Sequence, residues 1–158
     1  MFKTKVPLKD SIVRSFIISR FGNGNDVIKI DRRSFLGKAV ELGCSKIGYL
    51  HSLPRQNDTI LKESEFVTLV MPDALKSDFL QPAKIKLLSA LLSRYYSENF
   101  LSEIGILVEG GLSDYDAVKQ YMEKYQIDYE GKVDEKLRKK WRDHQGALRK
   151  KFRECSKN

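Results

Sequence analysis

Apolar positions in this chain fall mostly at helical spacing, and runs of β-branched and aromatic residues interrupt them in the first half. Val6-Pro7-Leu8 reads as a short extended lead-in. Ile12, Val13, Phe16, Ile17 and Phe21 then share one face of a helix that Asp10 or Ser11 can cap, with Arg14 and Arg20 off that face. Gly22-Asn23-Gly24-Asn25 is a turn. Asp26–Asp31 alternates as a strand should, and Ser34 caps a short helix over Phe35–Leu42 that Gly43 ends. Cys44–Pro54 is ambiguous between strand and loop. Thr59–Leu61 and Glu65–Met71 read as strands, the second being the strongest β segment in the chain, closed by Pro72. Asp73–Leu80 is expected to form a helical turn.

From Gln81 onward the pattern is helical throughout. Pro82 suits a first helical turn. Ile85, Leu87, Leu88, Leu91, Leu92, Tyr95, Tyr96 and Phe100 cover a wide apolar arc, which predicts the most buried helix. Leu101–Glu109 continues or restarts it, and Gly110-Gly111 stops it. Ser113, with Asp116 three residues on, resembles a capping box for a helix over Asp114–Gln126. That helix turns Ala117, Val118, Tyr121, Met122 and Tyr125 inward. After the turn Ile127–Gly131, Val133, Leu137, Trp141, Leu148 and Phe152 repeat at +4, +4, +7 and +4, the stripe of a core-facing helix. Gly146 is its weak point, either splitting it in two or ending it.

The expected fold class is α+β: a small N-terminal mixed sheet with two helices over about residues 1–80, then a bundle of three or four helices over 81–158. The two parts either form one domain or a small domain with a helical extension, since 158 residues suffice to bury a core. There is no internal repeat or low-complexity tract.

Charge changes this picture at one end. Residues 132–158 carry eleven bases and four acids, a net charge of +7 against +8 for the whole chain. The rest is nearly neutral. A pI near 9.4 points to nucleic acid first and to an anionic membrane surface second. No apolar run approaches a membrane span, and Met1–Lys9 lacks the apolar core of a signal peptide, so a cytoplasmic or nucleoid-associated protein is expected, with no membrane partner. Cys44 and Cys155 are far apart and fit neither a disulfide framework nor a zinc pattern.

No catalytic signature is present. Cys44 and His51 are close in sequence only, neither His51 nor His144 has a second histidine at i+4, and Gly22-Asn23-Gly24 lacks the third glycine of a dinucleotide loop. No metal and no cofactor is expected. The functional expectation is non-catalytic nucleic-acid binding, DNA ahead of RNA and duplex DNA foremost, through the basic helix. Lys136, Arg138, Lys139, Lys140, Arg142, Arg149, Lys150 and Arg153 are the expected contacts. Guanidinium groups suit phosphate because their planar forks bind it in a bidentate manner.

Two helix-turn-helix readings compete. In one, Asp114–Gln126 is the reading helix after the Gly110–Ser113 turn, but Asp114 and Asp116 would then lead toward phosphate. In the other, Asp114–Gln126 supports Val133–Gln145 as reading helix, after a turn longer than usual. Trp141 and the tyrosines Tyr95, Tyr96, Tyr121, Tyr125 and Tyr129 are expected to pack in the core. A small α/β part with a basic helical end also occurs in DNA-associated proteins of phages and mobile elements, a likeness of architecture alone. The alternatives are a protein–protein or homo-oligomerisation module using Trp141, Leu148 and Phe152, and an enzyme with a dispersed site near Arg32, His51 or Glu63.

Overall fold

The computed structural model describes residues 2–43, 65–71, 82–129 and 131–156. Cys44, His51, Glu63, the expected strand Thr59–Leu61 and the expected turn Asp73–Leu80 lie outside the described residues. The fold is α+β, with a three-stranded mixed sheet and two short helices followed by three helices. The order is β1 (Phe2–Pro7), α1 (Ser11–Gly22), β2 (Val27–Lys29), α2 (Phe35–Gly43), β3 (Phe66–Met71), α3 (Pro82–Glu109), α4 (Asp114–Lys124) and α5 (Val133–Cys155). Contacts divide the chain into two compact units, residues 1–96 and 97–158, and α3 runs through the division.

In the first unit β3 is the central strand. Its β-branched and aromatic residues suit a position with partners on both sides. β1 pairs with it antiparallel, Phe2 opposite Met71 and Pro7 opposite Phe66, and β2 pairs parallel, Ile28 opposite Leu69. Val6, Ile28, Val67, Leu69 and Met71 are all buried. Asp10 caps α1, its side chain accepting from the Ile12 amide at 2.9 Å. Ile12, Val13, Phe16 and Ile17 are buried, and the Phe16 ring meets Tyr96 edge-on at 5.5 Å. Arg14, off that face, donates from Nε to the Phe66 carbonyl at 3.0 Å.

The Asp31–Ser34 turn sets the start of α2. The Ser34 hydroxyl donates to the Asp31 carbonyl at 2.7 Å and accepts from the Gly37 amide at 3.0 Å. Gly37 packs so closely beneath this turn that an added Cβ would lie 2.0 Å from the Asp31 carbonyl oxygen. Gly37→Ala must therefore displace backbone. We expect it to destabilise the first unit by at least about 1 kcal/mol, lowering the thermal midpoint by roughly 4 °C or more. An unchanged midpoint in a circular-dichroism melt would contradict the packing described.

The second unit is built from the end of α3 with α4 and α5. Phe100, Ile104, Ala117, Val118, Tyr121, Met122, Tyr125, Ile127, Leu137 and Trp141 form its core. α3 does not restart at Leu101 but runs unbroken for 28 residues. It ends where Gly111 takes φ +99° and the Leu112 amide donates back to the Leu107 carbonyl at 3.1 Å. Ser113 caps α4, its hydroxyl accepting from the Asp116 amide at 3.1 Å and donating to the Asp116 carboxylate at 2.6 Å. Aspartate is too short to reach back as glutamate does in a full capping box, and it holds the capping hydroxyl instead.

Candidate nucleic-acid interface

Helix α5 begins with Asp134 and Glu135 in its first turn and carries its bases later, the polarity that the helix dipole favours. It runs through Gly146 without a break, for 23 residues, or about 34 Å. α4, against which it packs, has only 11 residues, about 16 Å. α4 can therefore cover only part of α5. Leu137 and Trp141 are buried, and the Trp141 indole Nε1 donates to Asp114 Oδ1 at 3.0 Å. From Gly146 to Ser156 every residue is exposed. Leu148 is 41% exposed and Phe152 72%, so the apolar stripe expected to face the core does so only in its first half. Tyr129 is also exposed, at 52%, whereas Tyr96, Tyr121 and Tyr125 are buried as expected.

The expected contact residues divide in the same way. Arg138 is half-buried. It bonds Asp134 at 3.2 Å and lies over the Tyr115 ring at 5.4 Å, while its buried Nε has no hydrogen-bond partner among the described residues. Lys140 donates to the Ser97 hydroxyl at 2.8 Å and lies 5.5 Å from the Phe100 ring centre. Lys136 is also engaged within the protein. Lys139, Arg142, Arg149, Lys150 and Arg153 are exposed, and among the described residues no carboxylate pairs with any of them. Lys151, not among the expected contacts, is exposed and unpaired in the same sense, near the edge of the apolar stripe.

Because α5 is continuous, its four arginines line up. Arg138, Arg142, Arg149 and Arg153 follow at +4, +7 and +4, which places them within an arc of about 60° and along about 22 Å of one helix. Lys139 and Lys150 flank this row on the side away from Leu148 and Phe152. Arg138 and Arg142 also line, with Ser113, Asp114 and Tyr115, a cavity of about 290 Å³ beside the start of α4. The Asp114 carboxylate sits in the same cavity and offsets their charge.

A second cavity of about 310 Å³ is lined by Glu103, Ile106, Leu107, Gln120, Tyr121 and Lys124. Burial acts to raise the Glu103 carboxyl, but hydrogen bonds from Lys124 at 2.8 Å, from the Tyr125 hydroxyl and from Asn99 outweigh it and hold the group below the usual carboxylate range. A carboxylate so engaged anchors α3 to α4 and is poorly placed to accept a proton. Trp141 is 6% exposed and is a core residue; His144 lies beside it, ring centres 5.9 Å apart. Among the described residues no group of three or more histidine, cysteine or acidic side chains is placed to hold a metal, and no helix is long and apolar enough to cross a membrane. No protein-family model, curated protein or solved structure matches this chain.

Proposed function

We propose that the chain binds nucleic acid through its phosphates, those of duplex DNA among them, along the arginine row of α5. Arg142, Arg149 and Arg153 are the principal phosphate contacts, and Lys139 and Lys150 flank them. One observation carries this reading: Arg142, Arg149 and Arg153 lie in line on one helix, are exposed, and none of the three pairs with a carboxylate among the described residues. The helix accepts a local penalty to present it. Arg149 and Arg153 are like charges at i,i+4, unfavourable by about 0.2–0.5 kcal/mol in an isolated helix, whereas the charge of Arg138 beside Arg142 is met by Asp134. A polyanion reverses that sign, since phosphates between the guanidinium groups convert repulsion into bridging and release counterions. A segment that breaks a local rule without a visible compensation inside the molecule is where a ligand is to be sought. Such a ligand places the chain in the cytoplasm or on the nucleoid.

The supporting geometry is of backbone contact more than of groove readout. The α4–α5 connection, Tyr125–Lys132, is longer than the turn of a helix-turn-helix. Asp114, which would lead the alternative reading helix, is occupied by Trp141. The test is fluorescence anisotropy with labelled duplex DNA over a range of salt. Five phosphate contacts predict a slope of log K against log salt of about −4 to −5. Binding that ignores salt, or no binding at low salt, overturns the reading.

The exposed Leu148 and Phe152 favour a second reading, in which the same helix docks on another protein or on a copy of itself. Light scattering decides it: self-association that Phe152→Glu abolishes, without any salt-dependent nucleic-acid binding, is its mark.

A further inference from the structure

The far half of α5 presents two unlike surfaces side by side. One is the arginine row. The other is the apolar edge of Leu148 and Phe152, both exposed, Phe152 at 72%. The charges around this edge identify what fits it. Arg149 lies on one side and Lys151 on the other, at about 60° or more from the centre of the edge on a helix of 3.6 residues per turn. α5 carries nine bases and four acids. A second copy laid against this edge, in either direction, would set cations against cations within a Debye length, which is about 8–10 Å at physiological salt. A flat apolar group carried on an anionic backbone meets both surfaces at once. A nucleobase on its sugar-phosphate chain is such a group, and an aromatic ring beside guanidinium groups is what single-stranded binders use to hold it.

Resting on the nucleic-acid reading above, we propose that Phe152, assisted by Leu148, stacks on a nucleobase, and that the preferred ligand is a strand whose bases are unpaired, as in a single strand or a gap. Intact duplex offers the arginine row its phosphates but hides its base faces, so it engages one surface and leaves the other in water. Trp141 and Tyr125 have no part in this, because both are buried. Phe152 is 72% exposed, so replacing it tests binding and leaves the fold alone.

The experiment compares one labelled oligonucleotide as a single strand and as a duplex, at matched salt, with the wild-type chain and with Phe152→Ala, Phe152→Leu and Phe152→Tyr. We expect the single strand to bind more tightly than the duplex. Phe152→Ala should weaken single-strand binding roughly tenfold, Phe152→Tyr should restore it, and Phe152→Leu should not. Duplex affinity should be the same in all four proteins. Equal affinity for both probes with no effect of Phe152→Ala overturns the inference and leaves phosphate binding standing. Loss of self-association in Phe152→Ala, measured by light scattering with single-strand affinity unchanged, overturns it in favour of a second copy. Failure of the wild type to bind either probe at low salt overturns the nucleic-acid reading, and the inference with it.

Discussion

Changing Arg142, Arg149 and Arg153 together to Glu is expected to abolish nucleic-acid binding and to leave both folded units intact. These three guanidinium groups are exposed, lie in one row and have no carboxylate partner among the described residues. A hydrogen bond to a charged group contributes about 1.5–3 kcal/mol, so loss of three phosphate contacts weakens binding by at least roughly a thousandfold. Repulsion of phosphate by three new carboxylates adds to that. Arg138 is left out of the set because it bonds Asp134 and covers Tyr115, so its reversal would disturb α4 and α5 as well as the ligand. Away from such contacts, surface changes shift stability by only about 0.5 kcal/mol each. The necessary control is Lys3, Lys9 and Lys86 changed to Glu, an equal change of net charge in the first unit at exposed positions. If the control loses as much affinity as the arginine set, long-range charge and not the row is responsible. If the arginine variant binds as well as the wild type, α5 is not the interface.

The division of α5 into a buried and an exposed half shows what the sequence could reveal and what it could not. The element itself is legible, because Val133, Leu137, Trp141, Leu148 and Phe152 repeat at helical spacing and most of the bases lie off that stripe. So is the inner face of α4, where Ala117, Val118, Tyr121, Met122 and Tyr125 are all buried. How much of a stripe is covered depends on the length of its neighbour, and a one-dimensional pattern carries no such information. α4 is half as long as α5, and Leu148 and Phe152 are left exposed. Gly146 is a second example. Its intrinsic cost in a helix is about 1 kcal/mol, enough to suggest a break, yet helical residues on both sides carry α5 through it.

The candidate contacts follow the same logic. Eight bases were identifiable as a cluster, but which ones are free depends on neighbours from elsewhere in the chain. Lys140 finds Ser97 across 43 positions, and Trp141 finds Asp114 across 27. Arg138 pairs within its own helix at i−4, which the spacing could have signalled. The alignment of all four arginines had a signal too, the +4, +7, +4 spacing. It becomes a surface only once Gly146 is known to lie inside one helix.

Trp141→Ala should have the largest effect on stability, and it separates a core role from a ligand role. The indole is 6% exposed, its ring edge lies against Gly105 of α3 where an added Cβ would sit 3.6 Å away, and its Nε1 holds Asp114 at the start of α4. One side chain thus ties together all three helices of the second unit. Truncating a buried tryptophan to alanine costs about 3–5 kcal/mol, while a whole domain is stable by only about 5–15 kcal/mol. The second unit should therefore unfold at much lower urea. Circular dichroism is the appropriate measure, because this is the chain's single tryptophan and the variant loses its fluorescence. Trp141→Phe keeps most of the apolar burial and gives up the bond to Asp114, so it should lose only about 1–3 kcal/mol. Were Trp141 a base-stacking group instead, Trp141→Ala would lower single-strand affinity with the urea midpoint unmoved, and the three-helix core described above would be wrong at its centre.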